Sequence, residues 1–205
     1  MNFYSNFLKR ISDFLFAVLF LIISLPLVLI ISLLQLKYYG FSILYLQERN
    51  GLDAKVFKII KFRTMIDLSD SSGKQLPDKK RSTRLGNLLR RFSLDEIPNL
   101  LNIILGHMSF VGPRPLPVTY LKHMSARQRK RYSVRPGITG LAQINGGNDL
   151  SHKNRINLDL KYISKISASG DTAIIIRTFL YVLRQEGKNH LGDQSIDSYI
   201  PNFDN

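Results

Sequence analysis

The feature that most constrains the fold is an apolar run of 21 uncharged residues from Phe14 to Leu34, broken only by Ser24, Pro26 and Ser32. A straight helix of that length covers about 31 Å, close to the hydrocarbon thickness of a bilayer. We therefore predict that this segment enters a membrane. A cleaved signal peptide is not favoured, because the run is too long and no A-x-A site follows it.

The sequence leaves open whether this segment crosses the bilayer or returns to the same side. Lys9 and Arg10 precede the run and a lysine follows it, so the charge bias that normally fixes orientation is weak. Pro26 frees a backbone carbonyl and Ser24 offers a hydroxyl, which permits a re-entrant helix-break-helix. The alternative is one kinked helix that spans the bilayer. Asp13, at the edge of the run, is expected to pair with Lys9, Arg10 or interfacial groups.

Composition narrows the classes of function. The chain has 205 residues, a formal net charge of +14 and no cysteine. The charge predicts attraction to polyanions such as nucleic acid, anionic lipid headgroups or phosphorylated small molecules. The lack of cysteine excludes disulfides, thiolate zinc sites and a cysteine nucleophile. No P-loop, dinucleotide-binding or D-x-D motif is present, which disfavours P-loop enzymes, Rossmann dehydrogenases and common metal-dependent glycosyltransferases.

Two adjacent carboxylates, Asp95 and Glu96, form the candidate active site and are called the dyad below. The thirteen residues from 79 to 91 carry six basic residues and no acid, so the dyad follows a strongly basic segment. Ser93 and Glu96 have the spacing of a capping box, which would place the dyad in the first turn of a helix. Pro98 can move that start by one or two residues.

Adjacent carboxylates on a helix project about 100° apart, which suits the dyad to separate roles rather than to a shared proton. One acid can attack a phosphorus atom or bind a metal, while the other handles a proton or orients the first. The alternative is that both acids cap a helix and pair with Arg90 and Arg91.

The remaining patterns predict an α+β fold. They comprise a β-hairpin from runs 42–49 and 55–63, a long polar loop at 67–84, and helices at 118–133, 156–166 and 172–186. Arg114 lies between two prolines that fix its backbone, so it either contacts a phosphate with its guanidinium or lies in a rigid turn. Residues 135–140 predict a tight, glycine-containing loop.

Several ordered motifs together resemble the bacterial sugar transferase family, the monotopic polyprenyl-phosphate phosphoglycosyl transferases. The resemblance extends from about residue 9 to about residue 187 and is closest to the minimal members that consist of the catalytic unit only. The motifs are Lys9-Arg10 and Asp13 before the proline-broken segment, Lys61-Phe-Arg-Thr-Met65, Arg90-Arg-Phe-Ser-Leu-Asp-Glu-Ile-Pro98, Ser109-Phe-Val-Gly-Pro-Arg-Pro115 and Arg135-Pro-Gly-Ile-Thr-Gly-Leu-Ala-Gln143.

The resemblance implies transfer of a sugar 1-phosphate from a UDP-sugar to polyprenyl (undecaprenyl) phosphate at the cytoplasmic face of the bacterial inner membrane. It implies that Asp95 attacks the β-phosphorus and holds the sugar phosphate, that Glu96 assists, and that the dyad uses Mg²⁺. Lys61, Arg90 and Arg114 are the expected phosphate-binding residues. Nucleic acid is not an expected partner.

The family's geometry also favours a re-entrant hairpin broken at Ser24 and Pro26, with Lys9, Arg10 and Asp13 at the membrane interface. The expected division is a membrane hairpin at 1–38, a mostly helical cytosolic catalytic domain with a small β-hairpin at 39–187, and an acidic tail at 188–205.

Two departures from the family pattern keep alternatives open. Leu25 separates Ser24 from Pro26, and Gly147 stands where the family commonly has arginine. A member that has lost activity and acts as a scaffold is therefore one alternative. The other is a non-catalytic, membrane-anchored binder of acidic lipid or nucleic acid, which the positive charge alone supports.

Overall fold

The computed structural model describes residues 4–184, which form an α+β fold with one long apolar N-terminal helix, as the sequence predicts. The predicted tail at 188–205 lies outside the described residues. A π-helical turn, Tyr4–Leu8, comes first. The helices are α1 Lys9–Tyr39, α2 Asp78–Arg81, α3 Arg84–Arg91, α4 Leu100–Ile104, α5 Ala126–Arg129, α6 His152–Ser164 and α7 Ala168–Arg184. The strands are β1 Leu44–Asn50, β2 Val56–Phe62, β3 Ser109–Val111 and β4 Gly137–Thr139.

Helix α1 packs against the rest of the fold along one narrow stripe. Its buried residues are Asp13, Ala17, Ile31 and Gln35, and nearly all the large apolar side chains on its other faces are exposed. By length and composition α1 is suited to cross a membrane. An exposed apolar surface of this extent indicates association with a membrane.

The structure shows a single helix through Pro26 rather than two helices separated by a break. The Ser24 hydroxyl donates to the carbonyl of Leu21 at 3.0 Å, not to the carbonyl of Ile22 that the proline frees. The predicted helix-break-helix is therefore not observed in the backbone. The membrane topology of this segment stays a prediction.

Both ends of α1 are bonded to the same folded body. At its start, Lys9 lies 2.7 Å from Asp171, and Arg10 donates to the carbonyls of Ile103 and Ile104 at the end of α4. Near its end, Gln35 donates to the carbonyl of Arg63 at 2.9 Å. Helix α1 is thus held to the rest of the fold near both of its ends.

The predicted interface residues Lys9, Arg10 and Asp13 contact protein groups. Asp13 lies 4.0 Å from Lys9, which agrees with the predicted pairing, and it also accepts a hydrogen bond from the backbone of Phe110 at 3.3 Å. Arg10 binds backbone carbonyls instead of Asp13. These three residues therefore fix the start of α1 to the body.

The predicted hairpin is confirmed, since β1 and β2 pair antiparallel from Leu44 opposite Phe62 to Asn50 opposite Val56. A second pairing was not predicted: β3 and β4 are parallel, and β4 lies in the segment predicted as a tight loop. Gly137 permits this pairing, because a Cβ there would lie 2.1 Å from the backbone nitrogen of Gly112. The close approach of two backbones explains the glycine.

The single helix predicted at 118–133 is wrong. The chain forms a 3-10 segment at Val118–His123, then α5, then a second 3-10 segment at Lys130–Ser133. The break follows from Ser125, which forms a capping box with Gln128 and so starts a new helix. Helices α6 and α7 agree with the predicted helices at 156–166 and 172–186 as far as residue 184.

Candidate active site

The dyad lies in a 3-10 helix, Leu94–Asn99, and not in the first turn of an α-helix. The predicted capping box is wrong: Ser93 has a left-handed backbone with φ of 54° and makes no capping bond with its side chain. Pro98 lies inside the 3-10 segment and lacks the N–H that an α-helix would use, and α4 begins only at Leu100. The helix therefore starts later than the capping box predicted, and by more than the one or two residues that we expected from Pro98.

Two buried amides attach the dyad segment to β2. The side-chain oxygen of Asn99 accepts a hydrogen bond from the backbone N–H of Ile60 at 2.9 Å. The side-chain amide of Asn102 donates to the backbone carbonyl of Lys58 at 3.1 Å. Asn102 also donates to Asn99 at 3.1 Å. Sequence reasoning missed both residues, although two amides spaced i, i+3 beside an otherwise apolar run were a usable signal. They set the position of the dyad relative to Lys61 on β2.

Three of the predicted site residues meet at one oxygen atom. The Lys61 ammonium lies 2.5 Å from Oε1 of Glu96, and the Arg114 guanidinium lies 3.5 Å from the same oxygen. The Lys61 and Glu96 side chains are largely buried, while the Arg114 side chain is 44% exposed. Two cations are thereby held beside the dyad, with Arg114 on the solvent side.

Asp95 is buried, with 9% of its surface exposed. Burial raises the pKa of the Asp95 carboxyl, the charge of Lys61 opposes that rise, and the charge of Glu96 adds to it. The charges of Arg90 and Arg114 also lower the pKa of Asp95, but less than the charge of Lys61 does. The dyad thus contains two acids in different environments, a buried one and one paired with cations.

Arg90 acts on the dyad through its charge, while its guanidinium donates to the hydroxyl of Thr64 at 2.8 Å. Helix α3 packs closely here, since a Cβ at Gly86 would lie 2.0 Å from the carbonyl of Thr64. The guanidinium of Arg90 is thus bonded to Thr64 while its charge favours the ionised form of Asp95. The ion pairs of Glu96 are with Lys61 and Arg114.

A buried ion pair holds the loop that carries Arg114. Arg131 donates to Asp159 through Nε at 3.0 Å and Nη2 at 2.7 Å, and Nη2 also donates to the Arg114 carbonyl at 2.7 Å. Both side chains are at most 3% exposed. Burial raises the pKa of the Asp159 carboxyl, and Arg131 opposes that rise. Sequence reasoning missed this pair, because neither residue stands in a recognisable spacing with the other.

A cleft runs beside the dyad and is lined by two groups of polar side chains. The first group is Lys61, Glu96 and Arg114. The second group, which we call the α6 group, is Arg49, Tyr120, His152 and Arg155. Prolines 115 and 117 also line the cleft, so part of its wall has a fixed backbone. The cleft offers three arginines and a lysine, which suits a ligand with several negative charges.

The dyad offers hard oxygen donors to a metal ion, but it does not form a complete cage. Among residues 4–184, no group of three or more histidine or acidic side chains could hold a metal. Mg²⁺ is commonly bound by one or two carboxylates together with substrate phosphates. Asp95 and Glu96 fit that arrangement.

Comparison with known proteins agrees with the motifs. A family model described as "Bacterial sugar transferase" matches residues 4–185. The "Uncharacterized sugar transferase EpsL" of Bacillus subtilis (strain 168) is 42% identical, covering 88% of this chain and 89% of that protein. The "Exopolysaccharide production protein ExoY" of Sinorhizobium fredii is 37% identical, covering 87% of each chain. The "UDP-glucose:undecaprenyl-phosphate glucose-1-phosphate transferase" of Caulobacter vibrioides is 40% identical, covering 83% of this chain and 67% of that protein.

Proposed function

The chain belongs to the bacterial sugar transferase family, and we propose that it transfers a sugar 1-phosphate from a UDP-sugar to polyprenyl phosphate, with release of UMP. The observation that carries this proposal is the meeting of Lys61 and Arg114 on Glu96, beside the buried Asp95, at a cationic cleft. A relative whose name states the same reaction is 40% identical over most of the chain. In phosphoryl transfer the protein mainly positions the groups and neutralises charge.

Asp95 is the nucleophile in this proposal. Its carboxylate oxygen attacks the β-phosphorus of the donor, and the bond to the bridging oxygen breaks, so that UMP leaves with the electron pair. The sugar phosphate is then held on Asp95 as an acyl phosphate. An oxygen of the polyprenyl phosphate attacks the same phosphorus, which forms the polyprenyl-diphosphate sugar and frees the Asp95 carboxylate.

Lys61 and Arg114 neutralise the phosphates during both steps. The donor's diphosphate competes with Glu96 for these two cations, and the planar guanidinium of Arg114 matches two phosphate oxygens. Arg90 adds positive charge near Asp95. Glu96 keeps Lys61 and Arg114 in place and lies where it can accept a proton from the incoming lipid phosphate.

Mg²⁺ bound by the dyad and the donor's phosphates would reduce charge repulsion and stabilise the leaving UMP. Asp95 and Glu96 are the described acids placed to hold it.

The contacts of α1 support a topology in which residues 1–13 and 38–205 lie on the same side of the membrane. Lys9, Arg10 and Gln35 bond to one body from opposite ends of the helix. A helix crossing the bilayer would separate its ends by about 30 Å of hydrocarbon. We propose that the body lies at the cytoplasmic face of the inner membrane, where the soluble donor and the lipid acceptor meet.

The test is turnover by the purified full chain with undecaprenyl phosphate, Mg²⁺ and a panel of UDP-sugars, measured as UMP release. We expect release with at least one donor and its loss in Asp95→Asn. Asp70→Asn, in an exposed loop, is the matched control and should keep full activity. No release with any UDP-sugar would contradict the proposed reaction and favour the scaffold or polyanion-binding alternatives.

A further inference from the structure

The α6 group of the cleft is built from three separate parts of the chain. Arg49 comes from β1, Tyr120 from the 3-10 segment at 118–123, and His152 and Arg155 from the first turn of α6. His152 and Arg155 are spaced i, i+3, so their side chains lie on the same side of α6. This convergence occurs beside the dyad but uses none of the residues to which the reaction above gives a role.

We propose that the α6 group binds the nucleoside monophosphate half of the donor, while the sugar phosphate half lies against Lys61, Glu96 and Arg114. This inference rests on the proposed function for the identity of the donor. It goes further by assigning the leaving group, UMP, to a second set of residues in the same cleft.

The first turn of α6 is suited to a phosphate. Ser151 caps this helix, its hydroxyl accepting from the backbone N–H of Asn154 at 3.2 Å, so the helix start is well defined. The N–H groups and the dipole at a helix start favour anions. Arg155 donates through Nε to the carbonyl of Leu150 at 3.0 Å, which anchors its guanidinium beside this turn. Arg49 adds a second guanidinium to the same lining.

The ring of His152, held against Tyr120, is suited to contact a flat nucleobase. Their centroids are 5.8 Å apart and the rings meet edge to face at 73°. Tyr120 is 2% exposed, so its ring is a fixed support for His152. Burial and the charge of Arg155 lower the pKa of His152, which favours a neutral imidazole. A neutral ring can stack on a base and bond its edge without adding charge.

The chemistry of the α6 group fits a nucleotide better than a sugar. Sugar hydroxyls are recognised largely by acceptors such as carboxylates, and among the described residues that line the cleft only Glu96 is acidic. Glu96 belongs to the other group, where it lies 2.5 Å from Lys61. The sugar is therefore expected near the dyad, and the nucleotide near α6.

The test measures binding of UMP to the full chain in nanodiscs by calorimetry, without turnover. We expect His152→Ala and Arg155→Gln each to weaken UMP binding at least tenfold. Glucose 1-phosphate, used as a probe of the other half, should bind these variants as it binds the wild type. Lys153→Gln is the matched control, because Lys153 is an exposed cation of the same helical turn. Arg155→Lys keeps the charge and should fold even where Arg155→Gln does not.

UMP binding that is unchanged in folded His152→Ala or in folded Arg155→Gln, or absent in the wild type, would overturn the inference. Loss of glucose 1-phosphate binding with UMP binding retained would also overturn it, because the sugar would then occupy the α6 group. A protein that binds UMP through Arg155 but releases none from any UDP-sugar would keep this site and refute the proposed reaction. The two failures are therefore distinguishable.

Discussion

Arg131 donates a hydrogen bond of 2.7 Å to the backbone carbonyl of Arg114, and the same guanidinium is paired with the buried Asp159. The residue that faces the dyad is thus positioned by an ion pair that lies inside the protein. Since both partners are at most 3% exposed, the ion pair is shielded from solvent.

Asp159→Asn is expected to destabilise the protein. The substitution leaves the charge of Arg131 buried without its counter-ion, a change that typically costs about 3–5 kcal/mol of unfolding free energy. For a chain of this size that corresponds to a fall in melting temperature of roughly 6–20 °C. Thermal unfolding in detergent measures it, with Asp70→Asn as the exposed control. A melting temperature equal to that of the wild type would show that the pair is not important for stability.

Lys61→Met is expected to move the acid limb of the pH–rate profile to higher pH. The charge of Lys61 lowers the pKa of Asp95 against the effect of burial, so its removal raises that pKa. Asp95 then ionises only at higher pH, and the rate of UMP release at pH 7 falls, by about 10²–10³-fold if a phosphate contact is also lost. Lys58→Met on the same strand is the control. If the acid limb of the pH–rate profile does not move, Lys61 does not influence the ionisation of Asp95.

Asp95→Asn is expected to raise the melting temperature while abolishing turnover. Burial raises the folded-state pKa of Asp95 above its unfolded value. Protonated Asp95 therefore contributes stability at any pH below its pKa in the unfolded chain. This contribution is lost as the pH rises through its pKa in the folded protein. Asparagine avoids that loss, so the gain over the wild type should be larger at pH 8 than at pH 4, measured by thermal unfolding. If Asp95→Asn does not raise the melting temperature, or raises it more at pH 4 than at pH 8, this prediction is wrong.

Labelling of single cysteines placed at Asn2 and Asn205 is expected to show both termini on one side of the membrane. The natural chain has no cysteine, so each label reports one position. Because α1 bonds to one body near both ends, membrane-impermeant reagent should reach both sites in inverted vesicles and neither in intact spheroplasts. Labelling of the two sites from opposite sides would show that α1 spans.

The sequence was sufficient to predict those elements whose pattern depends on residues that are neighbours in the chain. The apolar run predicted α1, and alternation about Asn50-Gly51 predicted the hairpin. The motifs predicted a site at which the structure brings Lys61 and Arg114 onto Glu96, while the catalytic roles of these residues and of Asp95 stay predictions. Each of these depends on local periodicity or on residues that stand together in the chain.

The sequence was insufficient where distant segments meet. The parallel pair β3–β4 joins residues 28 positions apart, from Ser109 to Gly137, and the Arg131–Asp159 pair also spans 28 positions. The predicted capping box is wrong for a local reason: Pro98 lacks the N–H that an α-helix starting at Ser93 would use. The α6 group was missed because its four residues come from three segments.

The most direct test of the proposed mechanism is mass spectrometry of the full chain quenched shortly after mixing with a turnover-competent UDP-sugar and Mg²⁺, without lipid acceptor. The mechanism predicts one added sugar phosphate on the peptide that carries Asp95, removed when undecaprenyl phosphate is supplied and absent in Asp95→Asn. Unmodified protein at every quench time, with product still formed once the acceptor is added, would contradict it.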